Sequence, residues 1–500
     1  MYLETISRSV PGNAQGSAYP FPQEVRIRRP GSLFQCFANS ADNLGRLLVR
    51  VELHDPLEAL RAGDENAHAA AEGISCDPGL AQIACDDNSL PQGSPCSPVV
   101  SNLIAHIMDM QLLRLVSRAG CTYSRYTDDL TFSTNKNEFP PDIAQQDPAN
   151  PHVWTPARPL VRQITRAGFR INPTKTRMQY RMSRQEVTGL VVNQKINVRT
   201  EYRREVRAMV HHLFTTGKFT LVGPVTKNGV VTLEDRDGTL DELHGRLGFI
   251  DSIDRHDGEK KQPMYRRFLL YKDFYMAARP VIICEGKTDN VYLKHAIRSL
   301  AAQFPQLATI DQQGKITLNV RLYNYPQTST GRILGLSSGG SALIAHFIGT
   351  YKKDTDHFHA PGQKHPVIIL YDNDAGAKDI RSAIGKATKN RVKGTEPYLH
   401  VARNLYAMRT PLSPGVTESK IEDFFDAATK ATQVGGKTFN DDSNGFDKNQ
   451  HFGKHIFAEQ VVKAKASTIS FAGFQPLLAI LEDIIKQHAA ILAGQAATVP

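Results

Sequence analysis

Cysteine is scarce and unpaired: six in 500 residues with no C-x-x-C among them, which leaves neither a disulfide framework nor a zinc site of the usual spacing. A reducing, cytoplasmic compartment is the expectation. Long hydrophobic runs are missing as well, since stretches such as Val281 to Cys284 and Val367 to Leu370 fall far short of the roughly 20 residues that cross a bilayer. Met1 to Val10 lacks the apolar core of a signal peptide, so no membrane partner is expected. There is no repeat of fixed period and no low-complexity tract, which excludes solenoids, propellers and coiled fibres.

What is present describes a large soluble chain. Single cores stop growing near about 250 to 300 residues, so 500 residues predict at least two domains. Apolar residues at 41% and charged residues at 22% can both fill and solvate such domains. Sixty Lys and Arg against fifty Asp and Glu leave a net charge of +10, a surplus that favours polyanionic partners.

Four segments follow from the pattern. Residues 1–80 are irregular, punctuated by Pro11, Pro20, Pro22 and Pro30. Residues 81–200 contain turn, helix, hairpin, helix and strand, the makings of an α+β domain. Residues 201–278 read as charged helices with a basic connector, Lys260, Lys261, Arg266 and Arg267. From about residue 279 to 500, short apolar strands alternate with longer helical stretches, which predicts a mainly parallel sheet in an α/β domain with a C-terminal helical extension.

Tyr123-Ser-Arg-Tyr-Thr-Asp-Asp-Leu-Thr-Phe132 alternates around a polar centre and predicts two short strands with Asp128 and Asp129 at the bend. Two such carboxylates, joined by a third, can hold paired divalent ions about 4 Å apart for phosphoryl transfer. An isolated Asp-Asp is more often a solvated turn. Tyr123, Tyr126 and Phe132 suit either base stacking or the core. Upstream, Leu90-Pro-Gln-Gly-Ser-Pro-Cys-Ser-Pro98 is a Gly- and Pro-punctuated loop that can approach a backbone closely. Downstream, Gly168-Phe-Arg-Ile-Asn-Pro-Thr-Lys-Thr176 places Lys175 after a strand and turn, where an ammonium can meet phosphate.

In this order, Leu-Pro-Gln-Gly-Ser-Pro-x-Ser-Pro, Tyr-x-Asp-Asp and Gly-Phe-x-Ile-Asn-x-x-Lys-Thr resemble a reverse transcriptase palm. Glu186-Val-Thr-Gly-Leu190 is similar to the Val-Thr-Gly segment that follows the palm in bacterial retron enzymes. The resemblance implies a right-hand polymerase with palm, thumb and reduced fingers. In it Asp128 and Asp129 are the metal-binding catalytic pair, and Gln92 and Gly93 lie near the incoming nucleotide. Thr127 stands where alanine is usual. The family's third acid, an aspartate on an earlier strand, has no clean counterpart: Val49-Arg-Val-Glu-Leu-His-Asp-Pro56 offers Glu52 and Asp55. Glutamate's extra methylene moves a carboxylate by about a bond length, and misplacement of about 1 Å can cost two orders of magnitude in rate.

Val281-Ile-Ile-Cys-Glu-Gly-Lys-Thr-Asp289 and Val367-Ile-Ile-Leu-Tyr-Asp-Asn-Asp374 each end a buried strand in acid. In open parallel sheets that edge binds ligands, so Glu285, Asp372 and Asp374 are metal candidates and Lys287 a phosphate contact. Glu418 and Glu422 stand four apart and predict a shared helix face, with Lys454 after Gly453. Leu336-Ser-Ser-Gly-Gly-Ser-Ala342 opens a helix as a phosphate cradle or a plain cap. Together Glu-Gly-Lys-x-Asp and Asp-x-Asp-x-Gly resemble the Toprim domain of topoisomerases, bacterial primases and overcoming-lysogenization-defect nucleases. That resemblance makes Glu285 an acid/base or metal ligand, Asp372 and Asp374 metal ligands, Glu418 and Glu422 holders of a second ion, and Lys454 a catalytic cation.

The whole then resembles a retron reverse transcriptase fused to a Toprim nuclease effector in antiphage defence. The cofactor implied is Mg²⁺, with Mn²⁺ as an alternative. The partners implied are a cognate structured noncoding RNA, its reverse-transcribed DNA and deoxynucleotide triphosphates, with a homo-oligomer left open. Two other readings stand beside it: a polymerase-inactive RNA-binding scaffold that positions the nuclease, and a primase-like enzyme.

Overall fold

In the computed structural model, which describes residues 47–54, 97–227, 230–255, 262–389, 396–441 and 446–497, the alternating segment around Asp128 folds as an antiparallel hairpin. The protein is mixed α/β with several small sheets. It divides into two units, residues 1–203 with 252–259 and residues 204–251 with 260–500.

The first unit contains β1 (Leu47–His54), α1 (Ser97–Ala119), β2 (Thr122–Tyr126), β3 (Asp129–Thr134), α2 (Arg158–Arg166) and β4 (Arg170–Tyr180). The strands form one antiparallel sheet in the order β2-β3-β1-β4. Ala105, Met108, Leu112 and Val116 recur at helical spacing on α1 and pack with Leu130 and Phe132 of β3 and Leu160 and Ile164 of α2. Each large apolar side chain so buried contributes about 1.5–3 kcal/mol. Phe132 is fully buried and its ring lies 5.2 Å from that of Tyr123, so both serve the core. The stretch Val99–Ala119 is long and apolar enough to cross a bilayer by length and composition, which the short runs seen in the sequence did not predict. One stripe of it lines the core, while Leu103, Ile107, Met110 and Leu113 are exposed among the described residues.

The Val-Thr-Gly segment is a tight hairpin, Glu186–Val187 against Leu190–Val191. Thr188 (φ +47°) and Gly189 (φ +81°) are its two central residues, and a loop with both at positive φ matches the twist of the flanking strands.

The second unit holds most of the stretch expected to be charged helices and a connector, and there the structure adds strands. Between α3 (Thr200–Thr216) and α4 (Leu240–Asp254) stands a long hairpin, β5 (Thr220–Lys227) and β6 (Val230–Asp237), paired from Thr220↔Asp237 to Lys227↔Val230. Gly223-Pro224 breaks any helix there, and Val230-Val-Thr-Leu233 is rich in strand-formers. Of the basic connector, Lys260 and Lys261 lie outside the described residues, while Arg266, on α5 (Pro263–Leu270), pairs with Asp354 and donates to Thr350 at 2.8 Å.

Beyond it come β7 (Val281–Cys284), α6 (Asp289–Ser299), β8 (Arg321–Leu322), α7 (Ser341–Thr355), β9 (Val367–Tyr371), α8 (Lys378–Thr388), β10 (Tyr398–Ala402) and β11 (Leu405–Arg409). The sheet order is β8-β7-β9-β11-β10, with the first four strands parallel and β10 antiparallel. Every residue of β7 and β9 is buried, as continuous apolar runs covered on both faces must be. Helix α9 (Gln475–Ala497) adds Leu477, Leu478, Leu481 and Ile484 to the same core.

Candidate active sites

In the hairpin, Tyr126 pairs with Asp129, leaving Thr127 and Asp128 as a two-residue turn. Asp128 is exposed at the tip and Asp129, half-buried, begins β3. The register sets Glu52 of β1 directly across from Asp129 on one side and from Asn172 of β4 on the other. Thr127 has φ +51°, a left-handed conformation that disfavours a β-branched residue, and its Oγ1 lies 2.8 Å from Asp128 Oδ1. Arg125 holds this turn in place. Its guanidinium grips Asp109 of α1 with two bonds, Nε to Oδ1 at 2.9 Å and Nη2 to Oδ2 at 2.8 Å. Its Nη1 donates to Asn102 Oδ1 at 3.0 Å and to the Thr127 carbonyl at 2.9 Å. Tyr123 adds a hydroxyl bond to Asp109 at 2.7 Å, and burial together with that carboxylate pushes the phenol's pKa far up. One planar fork thus ties the turn bearing the acids to the helix behind it.

At the sheet edge of the second unit, Glu285 follows β7 and Asp372 follows β9. Because the two strands are parallel neighbours, their acids emerge side by side: the Asp372 backbone N–H donates to Glu285 Oε2 at 3.2 Å. Asp372 Oδ1 accepts from the Ile421 N–H at 3.0 Å, and Asp289 Oδ2 accepts from the Gly286 N–H at 2.7 Å. Glu422 is 1% exposed and paired with Lys454 at 3.0 Å. Burial raises the pKa of Glu285, with the charges of Asp374 and Asp289 adding to it. Burial, then the charges of Asp289 and Glu422, push Asp372 up to about 8. Glu422 and Asp289 are raised chiefly by burial. Burial opposes the Lys454 charge, yet Glu422, Asp372 and Asp289 outweigh it and raise its pKa. The acids therefore repel one another in a poorly solvated place, with Lys454 as a partial counter-charge.

Among the described residues no three His, Cys or carboxylate side chains close up as a ready-made metal cage. Mg²⁺ does not need one, because it keeps several waters and binds through one or two carboxylates together with substrate phosphates. Glu285 and Asp372 offer hard oxygens of that kind side by side, and Asp374 lies near enough for its charge to raise the pKa of Glu285.

The loop Ser337–Gly340 closes over this edge. Gly340 N–H donates to the Glu285 carbonyl at 2.9 Å, and a Cβ on Gly339 (φ +77°) would stand 2.7 Å from that same oxygen. Gly339→Ala is therefore expected to lower stability by about 1–3 kcal/mol, measured by denaturant unfolding, and to displace Glu285.

Curated proteins similar to this chain share one description. The retron Mx162 reverse transcriptase of Myxococcus xanthus is 36% identical over 200 residues, 39% of this chain and 37% of the relative. The retron Ec86 reverse transcriptase of Escherichia coli is 30% identical over 176 residues, 35% of this chain and 45% of the relative. The retron Mx65 reverse transcriptase of Myxococcus xanthus is 36% identical over 155 residues, 31% of this chain and 32% of the relative. Part of this chain is similar to retron reverse transcriptases. It spans between about a third and just under half the length of these relatives. No protein-family model matches the chain.

The residues singled out from the sequence fare differently in the structure. Gln92, Gly93 and Asp55 lie outside the described residues. Lys175 does not follow the strand but sits within β4, exposed in a bulge. The register jumps from Arg50↔Arg177 to Glu52↔Asn172, and Thr176 Oγ1 closes the loop by donating to the Asn172 carbonyl at 2.7 Å. Pro173, which cannot donate to the ladder, accounts for the interruption. Glu418 and Glu422 share no helix face. Ser419 bridges to Asn373, the short 3-10 turn starts only at Ile421, and Glu418 is left exposed while Glu422 is buried. Two backbone bonds between Asn373 and Ser419, at 2.8 and 3.0 Å, hold that segment extended. Lys287 is exposed just beyond Glu285. Asp289 closes the Glu-Gly-Lys-x-Asp pattern and was not singled out. Its place inside that pattern was the available signal.

Proposed function

We propose that the chain is a retron-type RNA-directed DNA polymerase whose front part extends DNA on a structured noncoding RNA, fused to a Toprim-type nuclease that acts in antiphage defence. The observation that carries the polymerase reading is the pairing of Asp129 with Glu52 across the sheet, beside the Asp128 turn, in a chain similar to retron reverse transcriptases. That places three acidic residues at adjoining backbone positions, where Mg²⁺ or Mn²⁺ would bind deoxynucleotide phosphates and activate a priming hydroxyl. The nuclease reading is supported by Glu285, Asp372 and Asp374 at the carboxyl edge of parallel strands, with Lys454 close to Glu285 and Asp372. There Mg²⁺ would supply Lewis-acid chemistry. The chain's own groups would hold it, with Lys454 balancing charge.

A second reading rests on Glu52 itself. With glutamate where the family has aspartate, the front part serves as an RNA-binding scaffold. Primer extension on the cognate RNA with Mg²⁺ and deoxynucleotides decides between them: labelled DNA supports the polymerase, and RNA binding without synthesis supports the scaffold.

A further inference from the structure

Beside the Glu285 turn, along α6, lies a cavity of about 400 Å³ whose lining is strongly cationic. Arg279, Lys287, Lys294, His295, Arg321 and Lys463 line it, and Glu459 is its lining carboxylate. The fold assembles this wall from separate places. Asn290, Val291, Lys294 and His295 share one face of α6 by their i, i+4 spacing, Lys287 comes from the turn after β7, and Arg321 begins β8. Glu459 is already occupied by Lys463 at 2.6 Å, and Arg321 by Asp273 at 3.1 Å. Arg279 Nη1 donates to the Leu318 carbonyl at 3.0 Å, which fixes its head at the cavity. Lys287 and Lys294 are exposed, and their charges have no carboxylate among the lining residues left to balance them. Val291, Leu318, Val320 and Leu322 add apolar side chains to the same lining.

A lining that combines unbalanced cations with apolar side chains suits a ligand with an anionic group and a flat, weakly polar one, and the volume lies within the range of small-ligand sites, about 300–1,000 Å³. We propose that this cavity binds a nucleoside phosphate, with the phosphate among Arg279, Lys287 and Lys294 and the base or sugar against Val291, Val320 and Leu322. The choice of a nucleoside over another phosphate ester rests on the nucleic-acid reading of the neighbouring Glu285 edge. His295 supplies a reporter. Burial lowers its pKa, Lys294 and Arg298 on its own helix and Lys463 opposite lower it further, and Glu459 alone opposes them. A bound phosphate would offset those cations.

The test uses the full chain in EDTA, so that no metal takes part, with calorimetry and with the imidazole resonance of His295 as readouts. Deoxyadenosine monophosphate, a 5′-phosphorylated single-stranded oligonucleotide, the same oligonucleotide without its phosphate, and inorganic phosphate are the probes. Binding of the mononucleotide, weakened at least about tenfold by Lys294→Glu and accompanied by a rise in the His295 pKa, is the expected result. Binding of the mononucleotide alone identifies a free nucleotide as the source. Equal binding of the phosphorylated oligonucleotide identifies a strand end. Inorganic phosphate binding as well as the mononucleotide, or affinity that both Lys294→Glu and Lys294→Gln leave unchanged, overturns the proposal. Binding in a protein that fails to cut DNA with Mg²⁺ sinks the nuclease reading and leaves the cavity standing. Cutting without nucleotide binding does the reverse.

Discussion

Asp128→Asn is expected to abolish RNA-templated DNA synthesis, by about 10³-fold or more, while leaving the fold intact. The side chain is exposed at the tip of a turn, so its loss removes charge and no packing. Losing one carboxylate from a site that neutralises transferring phosphates removes a large electrostatic share of the acceleration. Primer extension under single-turnover conditions measures it, and synthesis within tenfold of the parent would refute the assignment. Arg125→Lys makes a sharper companion, because the largely buried Arg125 holds the Thr127 carbonyl and Asp109 together. Lysine keeps the charge but cannot make the forked contact. A fall of about 10–100-fold in kcat with little change in KM for deoxynucleotides is expected. An equal fall in stability and activity would mean that the clamp supports the core and nothing more.

The second large effect concerns Asp372. A carboxyl whose folded-state pKa, about 8, lies above its ordinary 3.8 holds its proton more tightly in the folded protein. Its contribution to stability is thus full below about pH 4 and is lost as pH climbs through about 8. In EDTA the protein should lose stability between pH 5 and pH 8, and Asp372→Asn should reduce this loss, gaining on the order of 2 kcal/mol at pH 8, with Glu285, Glu422 and Asp289 carrying the remainder. Asparagine keeps the oxygen that accepts from the Ile421 N–H. The same variant should lose Mg²⁺-dependent DNA cleavage altogether. Urea unfolding at both pH values, with and without Mg²⁺, gives the answer. A variant less stable than the parent at pH 8 would show that Asp372 is not repelled by its neighbours in the folded protein.

Parts of this architecture are local enough to read without coordinates. The period-2 alternation of Tyr123 to Phe132 can bury one face only as a hairpin, and the unbroken apolar runs at Val281 and Val367 suit only strands covered on both sides. Elsewhere the sequence misled because a partner distant along the chain overrode local spacing. Four-residue spacing placed Glu418 and Glu422 on one helix, but backbone bonds from Ser419 to Asn373 stretched the segment out and buried only Glu422 against Lys454. Lys175 was read as following a turn, whereas its strand runs on and loops out around it. Asp109 and Arg125 gave no signal at all, since a helix residue and a strand residue sixteen positions apart become partners only after α1 packs on the sheet.

The amino-acid order by itself therefore determined which residues form acidic turns and which strands must be buried, because side-chain direction along a helix or strand follows from backbone geometry alone. Only the tertiary structure decided which charged residues become neighbours: Glu52 at the register position opposite Asp129, Glu285 beside Asp372 by parallel pairing, and Glu422 beside Lys454 by loop packing. Electrostatic interaction depends on separation in space and on burial, and neither is encoded in the spacing of residues along a chain.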